Sequence, residues 1–175
     1  NRLIQTIVKV YISIMRGTPL MLQLIAVYFA PYYIFKAKVG PSYRFTAVII
    51  AFVINYSAYF AEIYRGGIEA VPNGQYEAAN VLGYSKSQTF FRIVLPQVIK
   101  RILPAVTNEI ITLVKDTSLA SVIAVMEMFT TAKLIASADT TILPLIVAGI
   151  YYYVFNLIVA VSMEKIEKKF SYYKL

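Results

Sequence analysis

Seven side chains in this sequence have the chemistry to hold a small polar solute: Asn55, Tyr59, Glu62, Asp116, Thr117, Ser118 and Glu127. Asn55, Tyr59 and Glu62 stand at i, i+4 and i+7, so a helix carrying them puts all three on one face. Glu109, Thr112 and Asp116 repeat that relation at i, i+3 and i+7, while Lys115 points about 100° away from Asp116 and cannot pair with it across one turn. Amide, phenol, hydroxyl and carboxylate groups bind by hydrogen bond and charge; none of them here adjoins a partner that would make it a nucleophile. The chain has no Cys and no His, which excludes thiol nucleophiles, zinc sites, histidine bases and Ser-His-Asp triads. It also lacks a Gly-x-x-x-x-Gly-Lys-Ser/Thr phosphate loop, so it is not expected to hydrolyse ATP. The residues point to binding without catalysis.

The elements that must position them are membrane helices. Of the 175 residues 59% are hydrophobic and only 15% charged, and the mean hydropathy is +0.65. A water-soluble domain carries about 25% charged residues, so this chain would leave much of its surface without polar cover. Hydrocarbon of about 30 Å takes about 20 helical residues to cross. Four stretches qualify, at about 17–35, 45–64, 102–123 and 140–163. An N-terminus inside places twelve Lys and Arg in the inner segments 1–19, 65–101 and 164–175, and leaves only Lys36, Lys38, Arg44 and Lys133 outside. Positive charge favours the cytoplasmic side, so the large loop and the C-terminus are expected there. The net charge of +8 is thereby a topology signal and not a nucleic-acid surface.

Ionisable groups at membrane depth are costly and default to a functional reading. Glu62 lies one turn from Arg65, where a helix-end ion pair competes with a solute contact; Asn55 and Tyr59 lie deeper. The run Lys115-Asp116-Thr117-Ser118 would ruin a lipid-facing helix and suggests a broken, water-lined segment, with a polar clamp between two subunits as the alternative. Glu127 belongs either to an outer mouth or to a solvated loop. Among fifteen tyrosines, Tyr172 and Tyr173, with Tyr28, Tyr32 and Tyr33 on the other side, fit interfacial belts. Tyr151, Tyr152 and Tyr153 fall in mid-span, where at least one hydroxyl needs a partner.

Residues 66–101 read as soluble protein. A turn is expected at Gly66-Gly67 and again at Pro72-Asn73-Gly74. A short helix follows over Glu77-Ala78-Ala79-Asn80-Val81-Leu82 and ends at Gly83, a residue suited to the left-handed position beyond a helix. Ser85-Lys86-Ser87-Gln88 has the form of a capping box, and the second helix is expected to stop before Pro96. Such a helix-turn-helix is either a solvated connector or a docking surface, with small Ala78 and Ala79 letting another backbone approach.

Glu77-Ala78-Ala79, Gly83 six residues after the Glu, and Ile93-x-Leu95-Pro96 resemble the EAA loop of permease subunits of bacterial ABC importers. Arg16-Gly17-Thr18-Pro19-Leu20 with Gln23, Asn55-x-x-Ala58-Tyr59-x-Ala61-Glu62-x-x-Arg65-Gly66-Gly67-Ile68, and Lys115-Asp116-Thr117-Ser118-Leu119 are similar to the polar amino acid subfamily. The likeness runs from Asn1 to Lys169. It implies an all-α membrane protein, a helical bundle with cytoplasmic coupling helices, in which Glu77, Ala78, Ala79 and Gly83 contact a separate ATPase. Members usually carry one more membrane helix ahead of Arg16-Gly17-Thr18-Pro19, so five spans are expected where these residues show four.

The resemblance also implies the partners: an ATP-binding cassette subunit that holds ATP and magnesium, a second permease chain, identical or related, and an extracytoplasmic amino acid-binding protein. No cofactor or metal is expected in this chain. The expected location is the bacterial cytoplasmic membrane, crossed several times. Glu62, Glu109, Asp116 and Glu127 against Lys115 would make a shared pocket net negative, which favours arginine, lysine or histidine as the solute. The alternative is a self-sufficient channel or ion-coupled carrier using those acids. A channel has no need of the 36-residue loop; an ATP-driven permease has.

Overall fold

The computed structural model describes residues 2–170, all of whose regular elements are helical; Tyr172 and Tyr173 lie outside the described residues. In chain order the elements are α1 (Arg2–Gly17), α2 (Leu20–Phe35), α3 (Tyr43–Glu69), α4 (Asn73–Val81), α5 (Lys86–Thr89), a π-helical segment (Phe90–Val94), α6 (Leu95–Asp116), a 3-10 segment (Thr117–Ile123), α7 (Met128–Ala138) and α8 (Leu143–Phe170). By length and composition α3 and α8 can each cross a bilayer alone, and α1 with α2, or the stretch from Lys86 to Ile123 with α7, pass only when taken as pairs. The described parts of the chain fall into two compact units, Asn1–Tyr59 with Thr112–Asn156, and Phe60–Ile111 with Leu157–Leu175.

In the first unit α2 packs on α3 through small residues. Leu24 is fully buried against Ala47, Ala51 and Ile123, with Val27, Tyr28 and Val48 around them. Ala47 and Ala51 are one turn apart on α3, so α2 can approach its backbone. Close approach of this kind matters in lipid, where apolar contact alone gives little advantage over acyl chains. Pro19 ends the break between α1 and α2, and the two helix directions differ by 111°. The break is held by side chains: Gln23 Nε2 donates to the Met15 carbonyl at 2.9 Å and to Thr18 Oγ1 at 2.8 Å, and Thr18 Oγ1 donates to the Ile14 carbonyl at 2.8 Å.

The second unit corrects two expectations. Gly66 and Gly67 do not turn; α3 runs through them to Glu69. Gly67 serves a crossing, because a Cβ there would stand 2.3 Å from Ile102 Cγ2 and 3.2 Å from Val98 Cγ1. Nor does the helix stop before Pro96. Leu95 is helical, with φ −56° and ψ −44°, and its N–H reaches the Phe90 carbonyl five residues back. A proline removes one helical donor and its ring crowds the carbonyl four residues earlier. The wider π turn at Phe90–Val94 places that strain where the bonding register has already shifted, and α6 continues.

The hairpin between α4 and α5 forms as its sequence dictates. Gly83 has φ +76°, its N–H donates to the Asn80 carbonyl at 3.0 Å, and Tyr84 N–H donates to the Ala79 carbonyl at 3.0 Å. That is a Schellman closure of α4. Two residues on, Gln88 N–H donates to Ser85 Oγ at 3.3 Å and Ser85 N–H to Gln88 Oε1 at 2.9 Å, which opens α5 with a complete capping box. Val71, Val94 and Val98 form the buried core beneath, with Ile102 against it.

Candidate functional site

The polar residues of the first unit converge around the middle of α3. Tyr56, 7% exposed, donates its hydroxyl to Asp116 Oδ2 at 2.8 Å, at the point where α6 tightens into the 3-10 segment. The rings of Tyr56 and Tyr59 lie 6.3 Å apart, and the Arg16 guanidinium sits over the Tyr59 ring at 5.6 Å from its centre. Arg16, Tyr56, Tyr59 and Asp116 therefore form a connected chain of a cation, two phenols and a carboxylate. Thr117 and Ser118 turn their hydroxyls back onto the Val114 and Lys115 carbonyls at 2.7 and 2.8 Å. Those bonds hold the exposed ends of the α-to-3-10 joint, where α6 loses its regular register.

Asn55 is more deeply buried, at 5% exposure, and its amide is committed. It donates to Gln23 Oε1 at 2.9 Å and to the Met15 carbonyl at 3.2 Å. In this chain it secures the α1–α2 corner onto α3. Tyr11 does the same one turn earlier on α1, reaching the Ile54 carbonyl and, at 2.6 Å, Ser57 Oγ. Glu127 caps α7: Oε1 accepts from Thr130 N–H at 2.5 Å and Thr130 Oγ1 at 2.6 Å, and Oε2 from Phe129 N–H at 2.7 Å. The Tyr152 hydroxyl donates to the same Oε2 at 3.4 Å, so one mid-span tyrosine has the partner it requires. A carboxylate at a helix N-terminus also faces the positive end of the helix dipole.

Glu62 belongs to the second unit and takes the ion-pair alternative: Arg65 Nη2 meets Glu62 Oε2 at 2.5 Å and Arg65 Nη1 meets Glu69 Oε2 at 2.6 Å. The described residues do not bring the seven candidates into one site. Asp116 and Tyr59 are linked through Tyr56, Thr117 and Ser118 adjoin Asp116 in the chain, and Asn55, Glu62 and Glu127 are each held by other partners. Sequence reading passed over Tyr56, although Phe52 and Tyr56 stand at i and i+4 on the buried side of α3 and Asp116 needs a donor at membrane depth.

The EAA residues stand on the hairpin. Ala79 is buried and Glu77, Ala78 and Gly83 are exposed. Just beyond them Val81 and Leu82, 88% and 72% exposed, project from the end of α4, and Phe91 follows at 62%. These three side chains leave an apolar tip exposed on the hairpin.

The chain belongs to the family of binding-protein-dependent transport system inner membrane components, whose pattern it matches over residues 1–172. It is 38% identical over 170 residues to a Rickettsia bellii permease protein named for a glutamine transport system, covering 97% of this chain and 77% of that one. It is 39% identical over 160 residues to the arginine transport system permease protein ArtQ of Bacillus subtilis, covering 91% and 72%. The L-cystine transport system permease protein TcyB of the same organism is 36% identical over 174 residues, covering 98% and 73%. Among solved structures, an amino acid ABC transporter crystallised with histidines matches with a TM-score of 0.85 at 36% identity, over 96% of this chain and 77% of that one. The chain thus stands among the amino acid ABC transport permeases, as a membrane-embedded subunit that is not itself catalytic. That membership displaces the channel and ion-coupled carrier alternative.

Proposed function

We propose that the chain is the permease subunit of an ATP-driven importer of polar amino acids in a bacterial cytoplasmic membrane. The observation that carries this reading is the hairpin 73–94, whose backbone bonds are closed and whose Val81 and Leu82 are left outward. Glu77, Ala78 and Gly83, exposed on the hairpin, seat this tip in a cleft of an ATP-binding subunit, which holds ATP and magnesium; Ala79, expected beside them as a contact, is buried and packs beneath the tip instead. Two tips serve an ATPase pair, so a second permease chain, identical or related, completes the unit, and an extracytoplasmic binding protein delivers the solute. Spans are assigned to α2, α3, α6 with its 3-10 extension, and α8; the hairpin and the Phe170 end of α8 face the cytoplasm.

The narrower reading is a cationic solute, arginine, lysine or histidine. Asp116 supports it: a carboxylate at membrane depth whose described partner is a neutral phenol, Tyr56, keeps its charge for a solute. Tyr59, Thr117 and Ser118 supply the neighbouring polar contacts. Glu62 and Glu127 lend this reading less than their charge suggests, since Arg65 and the α7 N-terminus engage them. A relative named for arginine transport and a solved relative crystallised with histidines also support it.

The test is ATP hydrolysis by the reconstituted complex with a panel of amino acids. Purified permease chain alone should hydrolyse nothing, and Gly83→Pro or deletion of 77–83 should abolish co-purification of the ATPase. Retained binding removes the coupling assignment. If neither arginine, lysine nor histidine stimulates the complex, or if Asp116→Asn leaves their stimulation unchanged, the cationic reading fails while the importer reading stands.

A further inference from the structure

Helix α1 carries a pattern that the transport path does not use. Its sixteen residues include Arg2, Lys9 and Arg16 and no acid. At about 100° per residue, Arg2, Gln5, Thr6, Lys9, Ser13 and Arg16 share an arc of about 100°. Leu3, Ile7, Val10 and Ile14 share a second arc of about 60°, centred about 120° from the first. These four are 68%, 59%, 52% and 50% exposed. Tyr11, the Met15 carbonyl and Arg16, all in the second half of the helix, meet Ser57, Asn55 and Tyr59 of α3.

Three surroundings are open to such a helix. Water would face four aliphatic side chains on one side. Hydrocarbon would face Lys9 and Arg2 on the other, each costly at membrane depth. A span continuing α2 is excluded by geometry as well, since the chain turns by 111° at Thr18-Pro19 and the Gln23–Thr18–Met15 bonds hold that corner. The boundary between water and acyl chains suits both sides at once. A helix with one basic and one apolar face lies in that plane, its apolar side sunk by roughly 5–10 Å.

We propose that α1 lies flat in the cytoplasmic membrane interface, with Leu3, Ile7, Val10 and Ile14 on acyl chains and Arg2 and Lys9 among anionic phospholipid headgroups. The absence of acid from the helix is the charge complement of such a surface. Arg16 is engaged over Tyr59 and is not counted in the headgroup contact. The inference rests on α2 crossing the bilayer and is independent of which solute is carried.

The chain holds no Cys, so single cysteines introduced at Leu3, Thr6, Ile7, Lys9, Val10, Ser13 and Ile14 report without background from this chain, and the labelled parent complex supplies the background of its partners. Each variant is spin-labelled in the assembled permease–ATPase complex, in vesicles of phosphatidylcholine and phosphatidylglycerol, and read by accessibility to oxygen and to a water-soluble nickel complex. Oxygen access should dominate at 3, 7, 10 and 14 and nickel access at 6, 9 and 13, with no drift in depth from 3 to 14. A steady change of depth along the helix would mean a span, and shielding of both faces from both quenchers would mean a protein neighbour; either overturns the proposal. In the second arm, Arg2→Gln with Lys9→Gln should lower the ratio of phosphatidylglycerol to phosphatidylcholine retained by the purified complex. An unchanged ratio overturns the headgroup contact.

Discussion

The Tyr56 hydroxyl donates to Asp116 Oδ2 at 2.8 Å, joining residues 60 positions apart in sequence at the place where α6 becomes a 3-10 helix. Tyr56→Phe keeps the ring and removes the donor. A fully buried acceptor left without its partner costs about 1–3 kcal/mol, and the part-buried Asp116 should lose no more than the lower part of that range. The melting temperature of the purified complex should fall, and Asp116→Asn, which keeps an acceptor oxygen, should fall less. Differential scanning of the three proteins decides it; equal stability of parent and Tyr56→Phe would mean that the bond is not made in the membrane.

Gly66 and Gly67 are neighbours with opposite tolerance. A Cβ at Gly67 meets Ile102 Cγ2 at 2.3 Å, whereas nothing lies within 4 Å of one at Gly66. Gly67→Ala should destabilise by about 1–3 kcal/mol through overpacking, and Ile102→Ala in the same chain should recover part of that loss. Gly66→Ala should be neutral or raise stability by up to about 1 kcal/mol, the ordinary helix preference of alanine over glycine. Thermal unfolding of the parent and the three variants is the measurement.

Gly83 has open space around it and φ +76°, so its constraint is the backbone alone. Gly83→Ala should cost about 1–2 kcal/mol and loosen the α4–α5 turn. Asparagine, which tolerates the left-handed region, should cost less. ATPase co-purification should rank parent, Asn and Ala in that order, and an alanine variant that binds as well as the parent would contradict it.

Glu127 caps α7 with both carboxylate oxygens. Glu127→Ala should lower stability by about 0.5–2 kcal/mol, the usual loss of a capping side chain. The rank order in which amino acids stimulate ATP hydrolysis should stay as it is in the parent. A changed order would show the carboxylate reaching the solute as well as the helix end.

Local signals carried well from sequence to structure. Gly83, Ser85 and Gln88 act within five residues of one another, and their turn and cap follow from backbone chemistry alone. What depends on distant partners was misread or missed. Gly66-Gly67 looks like a turn until Ile102 is placed against it, and Pro96 looks like a helix end until the π turn before it shifts the bonding register. The eleven-residue α7 has no long apolar run and is announced only by Glu127 as its cap. Asn55 and Glu62 share a face of α3, as their spacing requires. Yet the first is held by Gln23 and the Met15 carbonyl and the second by Arg65, so a shared face did not make a shared site.

The hairpin's two closures have a mechanical consequence. The Asn80 and Ala79 carbonyls at the end of α4 accept from Gly83 and Tyr84, and the N–H groups of Gln88 and Ser85 donate to Ser85 Oγ and Gln88 Oε1, all inside residues 79–88. These four bonds are all made within the hairpin itself. In the proposed coupling, a partner closing over Val81 and Leu82 would meet a turn already held by these bonds. Engagement would then repeat without refolding of that turn between strokes, and force applied at the tip would go into moving helices.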